Sequence, residues 1–473
     1  MCKPLAAAVS ITAFLALAGA GAAVAQTIPG AVAPVPELAA PAAPAVKPAP
    51  AARPAARPAP KPAAAAPVQA QAPAAETPAA APGAEPPPAP AATPPPPRVV
   101  KKQAPPPAPR ETALPDNPEP SYGPETFFTT AKASERYAAI ADAGGWPTVA
   151  SLAPGAKGKP VETLRQRLAM EGDLDAAKAT GEVYDADVKA AVQRFQLRHG
   201  LKRNGVVAGA TLKAMNVPAA TRFRQLASSA QRLAGYTFSF GDRYIVVNIP
   251  SASIETVANG QIARRFVAVV GDVKHPSPEV EAKIGAVNLN PTWTVPTSII
   301  KNEIIPKMRR DPGYLSRAKI RVLDSAGNVV EPSRVNWQTE HAASFTLRQD
   351  SGAGNALGSI RIAMPNKHAV YMHDTPSKRF FGMDYRFHSH GCVRVEGVYD
   401  LAQWVLEGTR GGWDKATILA RIGTGDRLDI RVPQPVPVAW VYLTGWATPD
   451  GTAHFRNDVY GLDSIGVAQV ATR

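Results

Sequence analysis

Residues 389–394 of the chain are Ser389-His390-Gly391-Cys392-Val393-Arg394, and His373 stands a short distance upstream. Cys392 is one of only two cysteines in the 473 residues, and the other, Cys2, falls in a predicted export signal. A mature exported chain would therefore keep a single thiol, which has no partner for an internal disulfide. Histidine and arginine beside that thiol supply a proton acceptor and positive charge, both of which favour the thiolate. The stretch predicts a cysteine nucleophile.

The same stretch allows two other interpretations. A lone cysteine is more often a small buried apolar side chain than a nucleophile. His388, His390 and Cys392 also alternate along the chain, so on a β-strand all three would face one side and could bind zinc. The sequence shows no His-Glu-x-x-His motif and no second set of acidic ligands, which counts against a zinc hydrolase. We therefore predict neither a metal nor another cofactor.

The glycine before the cysteine favours the interpretation of Cys392 as a nucleophile. Gly391 has no side chain, so the backbone can turn sharply there. Such a turn leaves N–H groups free to face an oxyanion as it develops on the substrate. The N–H groups of Gly391 and Cys392 are the predicted donors.

Two sequence motifs resemble the signature of the L,D-transpeptidase catalytic domain (the YkuD family), which cross-links peptidoglycan. They are Tyr371-Met372-His373-Asp374-Thr375-Pro376 and the run from Ser389 to Arg394. Further phrases between residue 161 and the C-terminus are similar to the larger Gram-negative branch of that family. The resemblance implies an α+β fold with a mixed, sandwich- or barrel-like β-sheet in residues 241–473. It also implies an inserted capping segment, residues 300–345, over the active site.

The resemblance implies a two-step acyl transfer. Cys392 would attack the amide between meso-diaminopimelate and the terminal D-Ala of a tetrapeptide stem, with His373 as general base and then general acid. D-Ala leaves, a thioester remains, and an amine of a second stem closes a 3→3 cross-link. Water in place of that amine would give an L,D-carboxypeptidase, and a protein amine would give wall-protein attachment.

The neighbouring residues have expected roles as well. The Asp374 backbone carbonyl is the family-like partner that fixes the His373 tautomer. Arg394 either binds stem carboxylates through its bidentate guanidinium or supports the cysteine loop by a salt bridge. His390 either adds a donor or orients the loop, or is only structural. The other residues predicted to bind substrate are Ser389, Tyr371 and Trp293; the last two could instead belong to the core.

Residues 1–25 predict a secretory signal, with Lys3 before an apolar run and Ala23-Val24-Ala25 as the cleavage site. The alternative is an uncleaved membrane anchor, because the run is just long enough to span a bilayer. Either way the rest of the chain lies outside the cytoplasm, and we expect a periplasmic enzyme of cell-wall biogenesis and cell shape.

About two thirds of residues 26–120 are alanine or proline, and the whole chain contains 50 prolines. This composition cannot bury a core, so we predict a disordered, polyproline-rich linker. The chain has a net charge of +14, and basic residues outnumber acidic ones in the linker. This allows a weak attraction to an anionic polymer or membrane surface. The charge is diffuse and lacks an aromatic platform, so no nucleic-acid partner is expected.

A helical lead-in is predicted over residues 121–155, followed by a three-helix unit over residues 156–217 and a linking helix over residues 218–240. Val161, Leu164 and Leu168 keep helical spacing, and Asp185 can cap a second helix that ends at His199-Gly200. Phrases within residues 184–215 resemble the small peptidoglycan-binding domain. The alternatives are a purely structural bundle, or a non-catalytic wall-binding protein in which this unit does the work.

From residue 241 the sequence favours short strands. Asn259-Gly260 between two apolar runs predicts a hairpin, and Pro365-Asn366-Lys367 predicts a second, which places His373 at a strand end. A third hairpin is predicted to pair residues 440–446 with 453–456. Residues 300 to about 341 are predicted to be helical and charged. The helix expected from Val398 begins too far beyond Cys392 for its dipole to acidify the thiol.

Overall fold

The computed structural model describes residues 110–463. The predicted export signal, residues 1–25, and residues 26–109 of the predicted linker lie outside the described residues. Within the described part, no helix has both the length and the apolar character needed to cross a bilayer.

Five helices precede the first strand, and the other helices lie between groups of strands, which is an α+β order. The helices are α1 (Thr126–Asp142), α2 (Lys159–Glu171), α3 (Ala186–Arg198), α4 (Gly209–Met215), α5 (Ala219–Ala234), α6 (Thr297–Ile299), α7 (Ile305–Arg310), α8 (Tyr314–Arg317), α9 (Val398–Val405) and α10 (Lys415–Gly423). The strands are β1 (Arg243–Asn248), β2 (Ser253–Ala258), β3 (Gln261–Gly271), β4 (Val280–Leu289), β5 (Trp293–Thr294), β6 (Ile320–Leu323), β7 (Val329–Val330), β8 (Thr346–Gln349), β9 (Ile360–Ala363), β10 (Met372–His373), β11 (Phe387–Ser389), β12 (Val393–Val395), β13 (Leu428–Val441), β14 (Gly445–Ala447) and β15 (Ala453–Phe455). Short 3₁₀ turns occupy Ala176–Lys178, Ile249–Ser251, Pro332–Arg334, Glu340–Ser344 and Lys378–Gly382, and Ile300–Ile304 form a π-helical turn.

Residues 110–121, here called the strap, lie extended across the folded part. Thr112 pairs with Leu201 in an antiparallel bridge. Arg265 donates to the carbonyls of Pro115 and Glu119 at 3.1 and 2.8 Å. The prediction that the linker continues to residue 120 is therefore wrong at its end, because polar partners on the folded part satisfy this backbone even though the strap has few apolar side chains.

Helices α2–α4 form the small helical unit, and they bury the positions that the spacing predicted. Val161, Leu164 and Leu168 are fully buried in its core. The Asp185 carboxylate accepts the Val188 N–H at 3.0 Å, which confirms the predicted cap of α3. Gly200 follows this helix with a φ of +66°, a conformation that favours glycine.

The large sheet has nine strands in the order β11-β3-β12-β10-β9-β4-β13-β1-β2, and β2 also pairs with β3. This last pairing closes eight of the strands into a barrel, with β11 added beside β3. The pairs β1–β13, β10–β12 and β3–β11 are parallel and the others antiparallel. The predicted α+β fold with a mixed, barrel-like sheet is confirmed.

The predicted hairpins differ in how closely they match. Asn259 and Gly260 both have positive φ, at 49° and 77°, and join β2 to β3 as predicted. The β9–β10 hairpin also forms, and His373 ends β10. The third hairpin is shorter than predicted, because Trp440 belongs to β13 inside the barrel and only β14 pairs with β15.

Residues 293–349 form a small subdomain, here called the cap, with its own sheet and core. Its strand order is β5-β8-β6-β7, and helices α6–α8 pack against it. The prediction of a helical, charged segment missed the strands in this region. Ile320, Val322 and Leu347 point inward from β6 and β8, a two-residue alternation that is short enough to be hidden among charged neighbours.

Candidate active site

The register of two parallel strands brings His373 and Cys392 to the same face of the sheet. Met372 on β10 pairs with Val393 on β12, and His373 pairs with Arg394. Met372 and Val393 are fully buried in the barrel core. Side chains alternate along a strand and neighbouring strands lie about 4.8 Å apart, so the residues flanking Met372 and Val393 meet on the other face.

His373 is buried and held by its neighbour in the chain. Its Nδ1 lies 2.5 Å from the Asp374 carbonyl oxygen, and a carbonyl can only accept, so Nδ1 carries the proton and Nε2 keeps its lone pair. Burial, followed by the positive charge of Arg394, lowers the pKa of His373 to about 4. The imidazole is therefore neutral and able to accept a proton at neutral pH.

The side chain of Asp374, whose carbonyl binds His373, is itself held in place by neighbouring groups. It accepts hydrogen bonds from the Ser359 N–H and hydroxyl, both at 2.9 Å, and it pairs with Lys378. Burial alone would raise the pKa of the Asp374 carboxyl, but Lys378 and the Ser359 N–H outweigh burial and hold it below its usual value. Gly358 has a φ of +59°, and a Cβ there would lie 2.4 Å from the Asp374 carboxylate. Only glycine fits against this aspartate.

Cys392 is half-buried and is not in a disulfide. Burial raises the pKa of its thiol to about 11, against the smaller opposing effects of Tyr371 and Arg394. The positive charge of Arg394 was expected to favour the thiolate, and it does lower the Cys392 pKa, but burial raises that pKa by more. Loss of water around both groups has a larger effect than the nearby positive charge. The resting pair is a neutral thiol and a neutral imidazole.

The loop before Cys392 is held by two serines. Ser389 Oγ donates to the Cys392 carbonyl at 2.5 Å and accepts the Gly391 N–H at 3.2 Å. Ser277 Oγ donates to the Gly391 carbonyl at 2.8 Å. Gly391 itself has a φ of +103°, so the turn needs glycine.

This arrangement changes two expected roles. Ser389 is 2% exposed and its hydroxyl is turned into the loop, so it shapes the loop instead of contacting substrate. The Gly391 N–H is engaged by Ser389, so of the two expected oxyanion donors only the Cys392 N–H has no acceptor among residues 110–463.

Arg394 faces the site from the same side as Cys392. Its Nε is buried, and within the described residues its guanidinium has neither a hydrogen-bond partner nor a carboxylate within salt-bridge distance. Its central carbon lies 5.9 Å from the centre of the Phe380 ring. Among the described residues no carboxylate lies near enough for the salt bridge that was the alternative role of Arg394. The Arg394 guanidinium is therefore a free cation beside the thiol.

Known proteins match this chain in two places. The YkuD family, described as the L,D-transpeptidase catalytic domain, matches residues 242–418. This segment is an L,D-transpeptidase catalytic domain of the YkuD family. A second family, described as "Putative peptidoglycan binding domain", matches residues 157–215, which include α2–α4. The transpeptidase domain therefore follows a peptidoglycan-binding domain, as the sequence phrases predicted.

Individual relatives carry the same description. A "Putative L,D-transpeptidase" of Haemophilus influenzae is 33% identical over 253 residues, which is 52% of this chain and 50% of that protein. The chain thus spans half the length of this relative. An L,D-transpeptidase structure from Xylanimonas cellulosilytica is 16% identical, covers 62% of this chain and 99% of its own, and has a TM-score of 0.21. One from Mycobacterium smegmatis is 16% identical over 42% of this chain and 58% of its own, with a TM-score of 0.22.

In the transpeptidase domain, His390 points away from the thiol and toward the cap. Its Nε2 lies 2.8 Å from Glu303 Oε1 in the π-helical turn, and the centre of its ring lies 4.4 Å from that of His275, with the two planes tilted by 31°. His390 therefore connects the nucleophile loop to the cap, which corresponds to the orienting role that was one of its predicted alternatives.

Two aromatic residues border the thiol. Tyr371 is close enough to Cys392 for each to shift the pKa of the other, and burial is the main cause that raises the Tyr371 pKa. Its ring meets the His373 ring edge-on at 5.7 Å. Trp293 on β5 is half-buried and approaches Tyr371 from the cap. Both rings border the site and also pack against the adjoining apolar cores.

The three residues considered as zinc ligands diverge. His388 packs between Phe380 and Tyr385, at 4.6 and 5.2 Å, whereas His390 reaches the cap and Cys392 follows the turn at Gly391. The alternation that would align them is broken by that turn. In the part of the chain that the structure describes, no three histidine, cysteine or acidic side chains come together as metal ligands.

The sequence reasoning missed three residues that shape the site: Glu303, Ser277 and Gly358. Glu303 lies in a charged helix that gave no hint of its partner on the cysteine loop. Ser277 follows β3, far from Gly391 in sequence. Gly358 lies just before β9, and its need for glycine becomes evident only from the position of Asp374.

Proposed function

We propose that the chain is a peptidoglycan L,D-transpeptidase that forms 3→3 cross-links through a thioester on Cys392. The observation that carries this proposal is that Cys392 and His373 lie on the same face of the sheet. The imidazole presents an unprotonated Nε2 there, because Nδ1 is bound to the Asp374 carbonyl.

The first step begins from a neutral pair. Because the thiol and the imidazole are both uncharged at rest, the Cys392 proton passes to His373 Nε2 as sulfur attacks the amide carbonyl that precedes the terminal D-Ala. The Cys392 N–H, which has no other acceptor among residues 110–463, supports the oxyanion. The C–N bond then breaks, His373 returns the proton to the leaving D-Ala amine, and the acyl group stays on sulfur.

The second step releases the thioester. An amine of a second stem attacks the thioester carbonyl and its proton passes to His373. The C–S bond then breaks, and the Cys392 thiolate leaves and takes that proton from His373. Water in the same position yields the shortened stem, and a protein amine yields wall attachment. The acceptor is an amine in the proposed reaction because this matches the family's chemistry.

Arg394 is the proposed anchor for a stem carboxylate. Its guanidinium is free on the face that holds the thiol, and two parallel N–H groups suit a carboxylate. Tyr371 and Trp293 would then line the entry beneath the cap. The enzyme is proposed to act in the periplasm, where the predicted export signal would deliver it.

The test is incubation of the full chain with purified disaccharide-tetrapeptide, followed by mass spectrometry of the products and of Cys392. We expect a cross-linked dimer with loss of D-Ala and an acyl adduct on that sulfur. Cys392→Ala and His373→Gln should abolish the dimer, and Cys2→Ser, which changes the other thiol, should not. Dimer formation by folded Cys392→Ala would overturn the proposal, and tripeptide as the sole product would assign the carboxypeptidase activity instead.

A further inference from the structure

A cavity away from Cys392 lies where the peptidoglycan-binding domain meets the transpeptidase domain. It has a volume of about 430 Å³, which is within the range of small-molecule sites in proteins. The strap, the end of α3, helix α4 and residues 455–457 line it together with residues 384–387. It is thus built from both domains.

Three arginines on this cavity have no carboxylate within salt-bridge distance among residues 110–463: Arg222, Arg386 and Arg456. Arg222 and Arg386 are 4% and 5% exposed, and the Nε of each is buried without a hydrogen-bond partner. Burial lowers the pKa of both to about 10 and that of Arg456 to about 9. Buried charges are normally paired, so these cations lack the anion that their setting calls for.

The remaining bonds of these guanidinium groups go to neutral atoms. Arg222 donates to Gln225 and to the Ala214 carbonyl, at 2.8 and 2.9 Å. Arg386 donates to the carbonyls of Ser251 and Met383 and to the Thr112 hydroxyl, among other acceptors. Such bonds orient the arginines, and the nearest carboxylates, among them Glu171, Asp384 and Glu255, act on them only from beyond salt-bridge distance.

Arg456 is brought to the cavity by a close approach to Gly200. A Cβ on Gly200 would lie 2.7 Å from the guanidinium carbon of Arg456. Arg456 donates from Nη1 to the Arg198 and Phe455 carbonyls, at 3.0 and 2.6 Å. Its Nε and Nη2 have no acceptor among the described residues, so they remain as donors.

His199 adds a hydrogen-bond acceptor to a cavity whose arginines are donors. It is 7% exposed, its Nδ1 lies 2.8 Å from the Phe195 carbonyl, and its Nε2 is buried without a partner. Since Nδ1 must carry the proton to bind a carbonyl, Nε2 offers a lone pair. The cavity therefore combines free guanidinium donors with one acceptor.

The net charge of the lining favours an anion. Four cations, Lys213 with the three arginines, face two carboxylates, Glu111 and Asp384, which leaves a net charge of +2. Both carboxylates are already engaged by backbone N–H groups: Glu111 by that of Ala210, and Asp384 by those of Glu111 and Thr112. They hold the strap and the helical domain in place, and Asp384 acts on Arg386 only from beyond salt-bridge distance.

We propose that this cavity is a second peptidoglycan site, which binds a stem-peptide carboxylate on Arg222, Arg386 and Arg456 and a stem amide N–H on His199 Nε2. A stem peptide carries both groups, whereas a free inorganic anion carries only the first. The choice of a wall fragment rests on the function proposed above. Holding one stem here would raise the local concentration of wall polymer at the transpeptidase domain.

The experiment is amide hydrogen exchange on the full chain carrying Cys392→Ala, which prevents turnover. The added ligands are disaccharide-tetrapeptide or, separately, sodium phosphate at matched ionic strength. We expect the disaccharide-tetrapeptide to slow exchange in residues 209–217 and 455–457 as well as near residue 392. Phosphate should have little effect on those cavity segments.

Two further variants separate binding from folding. Arg456→Gln should weaken cavity protection by about tenfold or more, as expected for loss of a charged donor. Lys213→Glu, at the exposed mouth, should weaken it by a few-fold, roughly the effect of one surface charge. The matched control Lys189→Glu makes the same change on α3 outside the cavity and should leave protection unchanged.

The outcomes distinguish the two proposals. Protection near residue 392 without protection of the cavity would overturn this inference and leave the proposed transpeptidation intact. Protection of the cavity by phosphate alone would overturn the wall-fragment assignment. The inference would also be overturned if the cavity were equally protected in Lys213→Glu, Lys189→Glu and folded Arg456→Gln. If the cavity were protected but the enzyme formed no cross-links, only the proposed transpeptidation would be contradicted.

Discussion

His390 Nε2 lies 2.8 Å from Glu303 Oε1, so the loop that carries Cys392 is joined to the cap by a contact between two side chains that are 40% and 34% exposed. Glu303 also pairs with Lys307 on the next turn, at 3.1 Å. The cap otherwise has its own sheet and its own core. The position of the cap over the site therefore depends in part on an exposed polar contact.

Glu303→Gln should loosen this contact without unfolding the cap. Exposed ion pairs contribute about 0–1 kcal/mol, so we expect cross-linking to fall by no more than about fivefold. Amide exchange should quicken at Ile300–Ile304 and in the loop at residues 389–392. The control Glu340→Gln removes an exposed pair with Lys301 inside the cap and should not affect the loop. Equal effects of both variants on the loop would show that cap stability, and not the contact with His390, is responsible.

Alkylation of Cys392 by iodoacetamide should report a raised thiol pKa. Because that pKa is about 11, the thiolate fraction and the alkylation rate should rise tenfold per pH unit up to about pH 11. At pH 7 the rate should be roughly three hundredfold below that of an ordinary thiol, whose pKa is about 8.5. The measurement uses Cys2→Ser, with glutathione as the reference. A rate that levels off below pH 8 would instead indicate a resting thiolate–imidazolium pair.

The cross-linking rate should have an acid limb near the His373 pKa. Because that pKa is lowered to about 4, the imidazole stays able to accept a proton between pH 7 and pH 5, and activity should fall as the pH drops through about 4. Buried neutral histidines also make the unfolded state bind more protons below pH 6.5, so stability falls in the same direction. Near-UV circular dichroism at each pH separates the two effects. A midpoint near 6.5 in folded protein would contradict the burial of His373.

Gly358→Ala should disturb the histidine through Asp374. The new Cβ would lie 2.4 Å from the Asp374 carboxylate in a backbone with a φ of +59°, which forces the aspartate and its carbonyl to move. We expect a loss of about 1–3 kcal/mol in unfolding free energy and a large drop in cross-linking. Gly354→Ala, where a Cβ meets nothing within 4 Å, is the control for chemical denaturation and activity. Full activity in Gly358→Ala would show that the carbonyl position is not critical.

Arg394→Gln should weaken substrate binding more than it affects the thiol. Loss of a charged donor to a carboxylate costs about 1.5–3 kcal/mol, so KM for the disaccharide-tetrapeptide should rise about tenfold or more. The Cys392 and His373 pKa values should both rise, because Arg394 lowers each. Arg379→Gln, an exposed arginine 5.0 Å from the same Phe380 ring, is the control. An unchanged KM would place the carboxylate anchor elsewhere.

Much of the fold followed from local patterns. The helical spacing of Val161, Leu164 and Leu168, the cap at Asp185 and the turn at Asn259-Gly260 each depend on neighbours within a few residues, and each formed as predicted. The strands of the cap did not follow, because β6 and β8 are only four residues long and pair across a wide sequence gap. Short strands have little pattern of their own.

The sequence by itself determined which groups can do chemistry: one thiol beside histidine and arginine, a glycine for the turn, and the phrases that resemble a transpeptidase. Only the tertiary structure decided how those groups behave. Burial keeps the Cys392 thiol and the His373 imidazole neutral. The Ser389 hydroxyl accepts the Gly391 N–H, which was expected to be a free oxyanion donor. The His390 side chain contacts the cap instead of the thiol. The physical reason is that a pKa and a free donor depend on solvation and on partners from distant segments, which local sequence does not specify.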